Sequence, residues 1–196
     1  MEFWFEFAST YSYLSVMRIE ALAAEQGIPV KWQPFLLGPI FKTQGWDTSP
    51  FNLYPAKGRY MWRDMERQTE KFGLPFQRPS EFPRNGLLAA RIALLGGEQS
   101  WGPAFVKAVY ARNFAQNLPI DDAAALLPVL QQLQLDADAI LEQAQSATNK
   151  QRLKEQTERA QALGIFGAPS FVVGDELFWG NDRLEDALMR CRRRQV

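Results

Sequence analysis

The sequence contains no histidine and only one cysteine, Cys191. The missing imidazoles exclude a Ser-His catalytic pair and a histidine-ligated metal site. The single thiol excludes a dithiol oxidoreductase, which needs two closely spaced cysteines. We therefore expect no metal centre and no chemistry of the serine-hydrolase or dithiol-redox kind.

The position of Cys191 favours a structural role for its thiol. It is separated by steps of three and four residues from Leu184, Ala187 and Leu188. This spacing is typical of the buried face of a helix, where cysteine behaves as a small hydrophobic side chain. We expect a packed thiol at this position.

Long hydrophobic runs and an excess of one charge are also absent. The sequence has no stretch of ~20 apolar residues and no signal-peptide core. Lys plus Arg and Asp plus Glu both number 22, so the net charge gives no reason to bind nucleic acid or lipid. We expect a globular cytoplasmic protein whose partner is a small molecule, with no nucleic acid and no membrane.

The N-terminal segment predicts a buried strand that turns directly into a helix. A continuous apolar run is typical of a strand covered on both faces, and here it comprises Phe3, Trp4, Phe5 and Phe7. Helical spacing follows until Gly27 and Pro29 end it. Ser9 or Ser12 therefore lies at a helix N-terminus, where free N–H groups and the helix dipole favour negative charge. Simple capping by Ser12 or Thr10 is the alternative.

Glu6 interrupts this apolar strand with an ionisable side chain. It is either a paired buried carboxylate or a group that tunes proton transfer. The sequence leaves both interpretations open.

A second motif precedes a short β-branched strand near the C-terminus, residues 171–173. Pro169 opens that strand, which is a position where proline is tolerated. The Ala168-Pro169 bond is a candidate cis peptide. Because only ~5–6% of X-Pro bonds in folded proteins are cis, the sequence alone leaves the isomer open.

The remaining pattern indicates an α/β fold with an all-helical insertion. We predict strands at 2–7, 30–35, 169–173 and 176–179, with helices at 11–26, 57–72, 86–95, 101–114, 123–133, 136–144, 148–163 and 181–191. The helix at 148–163 is expected to turn Leu153, Ala160 and Leu163 inward. The strands fall in residues 1–38 and 146–196, and we interpret residues 39–145 as a helical insertion domain.

Together the two motifs resemble the thioredoxin fold of the DsbA type. Within it they resemble the branch of kappa-class glutathione transferases and 2-hydroxychromene-2-carboxylate isomerases, in which Ser-Pro-x-Ser replaces the redox Cys-x-x-Cys. The resemblance covers nearly the whole chain and includes segments 34–38, 55–61, 82–85 and 178–185. It implies a thioredoxin-like α/β domain made of residues 1–38 and 146–196.

The resemblance also implies a glutathione site. In this family the first serine of the motif, here Ser9, faces the sulfur of bound glutathione. The backbone of Ala168, before Pro169, pairs with the cysteinyl amide. Asn181 and Asp182 correspond to positions that hold the γ-glutamyl group, although they are also a candidate helix cap with Glu185.

The other implied binding residues are weaker predictions. Lys57 is a candidate ligand for a glutathione carboxylate, with a solvated face of interleaved charges as the alternative. Asn85 matches a position near the aromatic substrate, or it caps the helix that follows. Tyr11 and Trp46 are the other candidate substrate contacts. Trp46 departs from the family's frequent asparagine, and Thr10 departs from its proline.

The implied activity is glutathione-dependent isomerisation of 2-hydroxychromene-2-carboxylate or a similar aromatic unsaturated keto acid. In this hypothesis Ser9 stabilises the glutathione thiolate, which adds to the substrate and leaves again. One alternative is a kappa-type transferase that consumes glutathione. The other is a peptide-binding thioredoxin-fold module without catalysis. The resemblance also implies a homodimer.

Overall fold

The computed structural model describes residues 1–97 and 99–195. Its four strands form one mixed sheet in the order β2-β1-β3-β4. They are β1 (Glu2–Phe5), β2 (Lys31–Pro34), β3 (Ser170–Val173) and β4 (Glu176–Trp179). β1 pairs parallel with β2 and antiparallel with β3, and β3 and β4 form an antiparallel hairpin.

β1 is buried on both faces, as its continuous apolar run predicts. Phe3 and Phe5 point into the main core, whereas Trp4 points to the opposite side and packs with Phe35 and Val172. Successive side chains of a strand alternate between the two faces of a sheet. Residues 3–5 therefore contribute side chains to both hydrophobic cores, and β1 is packed on both of its faces.

Ten α-helices surround the sheet within the described residues. They are α1 (Thr10–Ala24), α2 (Leu37–Thr43), α3 (Pro50–Leu53), α4 (Pro55–Phe72), α5 (Leu87–Gly96), α6 (Gly102–Phe114), α7 (Ala123–Gln132), α8 (Ala137–Gln145), α9 (Ala147–Ala162) and α10 (Leu184–Gln195). A short 3-10 turn, Asn181–Arg183, precedes α10. No helix in the described ranges has the length and hydropathy needed to cross a membrane.

The helix α6 packs beneath the turn between β1 and α1. The Tyr110 ring stacks on Phe7 with 5.2 Å between centroids, and both side chains are buried. Residues of α5 and α6 share the main core with β1 and α1. The division into a thioredoxin-like domain and a helical insertion at residues 39–145 stays a prediction.

The predicted elements are present, with ends that shift by at most four residues. The short helices α2 and α3 were not predicted, because prolines break up this stretch and leave no helical period. The prediction that Leu163 faces inward is wrong. α9 ends at Ala162, so Leu163 falls on its C-terminal cap and is 37% exposed. Cys191 is buried, as its spacing predicts.

Candidate active site

Ser9 is the N-cap of α1. It has extended backbone angles (φ −74°, ψ 115°), and its Oγ accepts a hydrogen bond from Ser12 N at 3.2 Å. Ser9 N in turn donates to the carbonyl oxygen of Glu6 at 2.9 Å. Ser9 is half-buried, whereas Ser12 is completely buried. Of the two candidate serines, only Ser9 therefore has its hydroxyl at the helix N-terminus.

The Ser9 hydroxyl reaches the other predicted motif directly. Its Oγ donates to the carbonyl oxygen of Ala168 at 2.9 Å, across 159 positions of sequence. The Ala168-Pro169 peptide bond is cis. The structure thus brings together the two motifs, and it places a hydroxyl group beside the backbone that precedes the cis proline.

The loop that carries Ala168 is fixed by three neighbouring contacts. Ser170 Oγ donates to Gly167 O at 2.9 Å, and Gly180 N donates to Pro169 O at 2.9 Å. A Cβ atom on Gly167 would lie 2.4 Å from Nε1 of Trp179, so the indole packs directly on the glycine backbone. Together these contacts fix the position of the Ala168 carbonyl group relative to Ser9.

Asn181 is held by α1. Its side-chain Oδ1 accepts hydrogen bonds from Ser15 Oγ at 3.1 Å and from Arg18 Nη1 at 3.3 Å. Arg18 also forms an ion pair with Glu185. The predicted capping box is wrong, because Asn181 and Glu185 bind to α1 and the 3-10 turn has no side-chain cap.

Asp182 follows Asn181 and is exposed. Its carboxylate lies 3.4 Å from Arg183, and both side chains are more than half exposed. Gly180, before the turn, has a left-handed φ of 108°, and a Cβ there would lie 2.5 Å from the Asp182 carboxylate. Glycine is needed at this position to present Asn181 and Asp182 side by side.

Tyr11 lies in the first turn of α1. Its hydroxyl donates to Asp64 at 2.9 Å, and its ring packs against Phe51 at 6.2 Å between centroids. Burial raises the pKa of Tyr11 well above its ordinary value, and the hydrogen bond and charge of Asp64 raise it further, with a smaller effect from Asp182. Tyr11 is therefore a neutral hydrogen-bond donor that lies in the electrostatic field of Asp182.

The remaining predicted site residues make no hydrogen bond with Ser9 in the described part of the chain. Lys57 is exposed, with its Nζ 4.8 Å from the centre of the Tyr54 ring. Trp46 is half-buried and packs against Phe41 at 5.9 Å. Their roles stay predictions.

Asn85 is exposed and occupies the start of α5. Its side-chain Oδ1 accepts from Leu87 N at 3.0 Å, and its own N donates to Asp121 at 2.7 Å. The structure therefore shows the helix-start interaction that was its alternative interpretation. The position near an aromatic substrate stays a prediction.

Glu6 has no ion-pair partner among residues 1–97 and 99–195, so the paired interpretation is wrong. Its Oε2 accepts from Ala8 N at 3.0 Å. Burial raises the pKa of the Glu6 carboxyl from 4.5 to about 7, although hydrogen bonds from the Ala8 and Ser9 amides oppose the rise. An unpaired carboxyl of this kind next to a candidate nucleophile site is a functional candidate.

Sequence reasoning missed two residues of α6 that support the turn. Tyr110 Oη donates to the carbonyl oxygen of Glu6 at 2.6 Å, and Asn113 Nδ2 donates to that of Phe7 at 3.3 Å. Both side chains are buried. No local pattern marks them, because their partners lie more than one hundred positions away.

Comparisons with known proteins agree with this geometry. A family model described as DSBA-like thioredoxin domain matches residues 1–190. A 2-hydroxychromene-2-carboxylate isomerase of Sphingobium xenophagum is 31% identical over 186 residues, which cover 94% of this chain and 94% of the relative. Glutathione S-transferase kappa 1 of Homo sapiens is 27% identical over 202 residues, which cover 94% of this chain and 87% of that protein.

A solved structure of a 2-hydroxychromene-2-carboxylate isomerase superposes with a TM-score of 0.87 at 27% identity. It covers 99% of this chain and 96% of its own. Sequence and structure thus give the same assignment over the whole length. The chain is an isomerase-like enzyme that belongs to the DSBA-like thioredoxin domain family and, within it, to the branch of 2-hydroxychromene-2-carboxylate isomerases and kappa-class glutathione transferases.

Proposed function

We propose that this enzyme isomerises 2-hydroxychromene-2-carboxylate, or a similar aromatic unsaturated keto acid, by means of a glutathione thiolate that Ser9 stabilises. The observation that carries the proposal is the position of the Ser9 hydroxyl, at the N-terminus of α1 and 2.9 Å from the Ala168 carbonyl. Relatives named as this isomerase support the choice of reaction.

The task of the site is to ionise a thiol. A free thiol has a pKa of ~8.5 and is only a few per cent thiolate near neutral pH. A hydroxyl hydrogen bond to a charged sulfur contributes roughly 1.5–3 kcal/mol, which corresponds to a pKa lowered by about one to two units. The N-terminus of α1 adds a smaller contribution in the same direction. When the two contributions together lower the thiol pKa by about 1.5 units or more, half or more of the bound thiol is ionised at pH 7.

Ligand binding redirects the Ser9 proton in this proposal. A serine hydroxyl has a single hydrogen to donate, and in this structure Ser9 donates it to Ala168 O. The cysteinyl N–H of glutathione would pair with that same carbonyl, in the manner of an added strand. The charged sulfur is a stronger acceptor than the Ala168 carbonyl, so the Ser9 hydrogen turns from that carbonyl to the sulfur. Binding of the glutathione backbone to Ala168 thus brings the sulfur to the Ser9 hydroxyl, which stabilises the thiolate.

Other residues hold the ends of glutathione. Asn181 and Asp182 lie side by side next to α1, and the exposed Asp182 carboxylate suits the γ-glutamyl ammonium group. Lys57 is the proposed ligand for a carboxylate. Tyr11, Trp46 and Asn85 are the proposed contacts of the aromatic substrate. Homodimer formation and a cytoplasmic location stay predictions.

We expect Asp182→Asn to raise the KM for glutathione by roughly tenfold, because a charge-assisted hydrogen bond to the ammonium group is lost. The kcat should stay within a factor of about two, since the interaction is the same in the ground state and the transition state. Steady-state kinetics with varied glutathione measures both constants. Asp186→Asn is the matched control, because Asp186 also pairs with Arg183. Equal KM changes in the two variants would contradict the assignment of Asp182.

The fate of glutathione distinguishes the isomerase from a kappa-type transferase, the second candidate, which relatives named as that transferase favour. With 2-hydroxychromene-2-carboxylate we expect catalytic conversion at a constant concentration of free glutathione. A transferase would instead form a stable conjugate with an electrophile such as a halonitrobenzene. Mass analysis of substrate, product and free thiol over many turnovers separates the two reactions. A conjugate formed in step with turnover would contradict the isomerase assignment.

A further inference from the structure

The side chain of Glu6 lies between the Ser9 turn and the start of α5. Its Oε2 binds Ala8 N at 3.0 Å, one residue before Ser9. Its Oε1 faces Gly86, where a Cβ atom would come within 3.5 Å of it and within 2.7 Å of Phe7 Cβ. Glu6 is half-buried, and burial of its carboxyl group is the main cause of its raised pKa. The Glu6 carboxyl group therefore lies between the segment that carries Ser9 and the segment that carries the proposed substrate contact Asn85.

The groups that surround Glu6 leave its charge unbalanced. From α6, the neutral phenol of Tyr110 binds the Glu6 carbonyl oxygen. From the segment before α5, the guanidinium of Arg84 is directed away, to Ser80 and to the carbonyl oxygens of Asn117 and Leu118.

The titratable group that contacts Asn85 is another acid, Asp121, whose carboxylate accepts a hydrogen bond from Asn85 N at 2.7 Å. On β1, the strand that ends just before Glu6, Glu2 lies at the far end and pairs with Arg159. No described cation therefore fixes Glu6 in its ionised form, and both of its protonation states are accessible.

We propose that Glu6 is the proton-transfer residue of the isomerase reaction, exchanging a proton with the substrate's ketone oxygen as the glutathione thiolate adds and leaves. This inference rests on the function proposed above. It extends that function by naming the residue that gives a proton to the substrate's ketone oxygen, because the Ser9 hydroxyl does not supply that proton.

The proposed step balances in atoms and electrons. In the ring-opened keto form of the substrate, the thiolate forms a C–S bond to the alkene, the alkene pair moves toward the ketone, and the ketone oxygen takes the Glu6 proton to give an enol. The former double bond is now single and rotates. The Glu6 carboxylate then removes the enol proton, the ketone and the alkene re-form, the C–S bond breaks and the thiolate leaves.

A carboxyl group with a pKa of about 7 suits this role near neutral pH, because both of its forms are populated. Aligned proton transfer of this kind typically contributes about 10²- to 10⁴-fold to the rate. The acid form is lost as the pH rises through 7, so Glu6 accounts for a high-pH limb in the kcat profile. The low-pH limb belongs to the glutathione thiol.

Glu6→Gln tests the inference, because glutamine keeps the volume and an oxygen acceptor for Ala8 N but transfers no proton. We expect kcat to fall by about 10²-fold or more, the high-pH limb to disappear, and glutathione affinity by calorimetry to stay within about twofold. Glu2→Gln, at the far end of the preceding strand β1, is the matched control and should retain both activity and pH profile. Retention of kcat and of the pH profile in Glu6→Gln would overturn the inference.

Two further results separate the possible failures. If Glu6→Gln does not fold, Glu6→Asp keeps the titrating group, and it should be slower but retain the high-pH limb; its loss would overturn the inference. If the wild-type enzyme does not convert the chromene with glutathione, the proposed function fails and the inference falls with it. A wild-type enzyme that turns over beside an equally active Glu6→Gln contradicts the inference alone.

Discussion

Ser9→Ala is expected to lower kcat/KM at pH 7 by about 10- to 25-fold, since the bound thiol loses the hydrogen bond that lowers its pKa by one to two units and its ionised fraction falls to a few per cent. The deficit should shrink as the pH rises above the ordinary thiol pKa, because glutathione then ionises without help. A fixed deficit at every pH would instead indicate a role in positioning. Initial rates across the pH range, with saturating and subsaturating glutathione, measure this difference.

The same variant also loses the N-cap of α1. We expect this loss to cost ~1 kcal/mol of stability, which leaves the protein folded at assay temperature. Ser12→Ala is the matched control, because the buried Ser12 hydroxyl has no hydrogen-bond partner in the described structure. Ser12→Ala should keep near-normal activity. Equal losses in both serine variants would contradict a specific role of the Ser9 hydroxyl.

Gly102→Ala is expected to be strongly destabilising, although it adds only one methyl group. A Cβ atom at residue 102 would lie 2.0 Å from the carbonyl oxygen of Gly96 and 2.7 Å from its carbonyl carbon. Both are backbone atoms, so the helices α5 and α6 must separate to relieve the overlap. Overpacking of this kind typically costs about 1–3 kcal/mol, and we expect a value at the upper end.

We also expect Gly102→Ala to disturb the active site. α6 carries Tyr110 and Asn113, whose side chains hold the carbonyl oxygens of Glu6 and Phe7 beneath the Ser9 turn. Denaturant unfolding monitors the stability, and glutathione calorimetry monitors the site. Gly38→Ala is the control, since nothing lies within 4 Å of a Cβ there and the substitution should be neutral or slightly stabilising. Similar stabilities of the two variants would contradict the packing argument.

The sequence predicted the parts of the site that depend on local pattern. A buried strand followed by a capped helix placed Ser9, and a proline before a β-branched strand placed Ala168. Both are short-range signals, because helix caps and strand-opening prolines are decided by neighbouring residues. The order of these segments and their family resemblance then predicted the fold.

Features that depend on distant partners could not be predicted in this way. Asp182 and Glu185 have the spacing of a capping box, yet Glu185 pairs with Arg18 on α1. The neighbouring Asn181 likewise accepts hydrogen bonds from Ser15 and Arg18 on α1. Tyr11 finds its partner Asp64 on another helix, 53 positions away. Tertiary partners here outcompete local capping, and only the folded structure shows which partners are in reach.

Glu6 illustrates the boundary between the two cases. Its place in an apolar strand already marked it as unusual, because carboxylates are seldom buried without a partner. Whether it was paired or free depended on what α6 and the segment before α5 present to it. Within the described residues, no cation pairs with the Glu6 carboxylate. We therefore infer a role in proton transfer for a group whose role the sequence left open.

The thiol pKa of glutathione bound to the enzyme tests the central claim most directly. Ultraviolet absorbance of the thiolate, titrated with wild-type enzyme and with Ser9→Ala, gives this value without any substrate. We predict a pKa about one to two units below that of free glutathione in the wild type, and a return toward the free value in Ser9→Ala. Identical thiol pKa values in the two proteins, or a value in the wild type equal to that of free glutathione, would contradict the account.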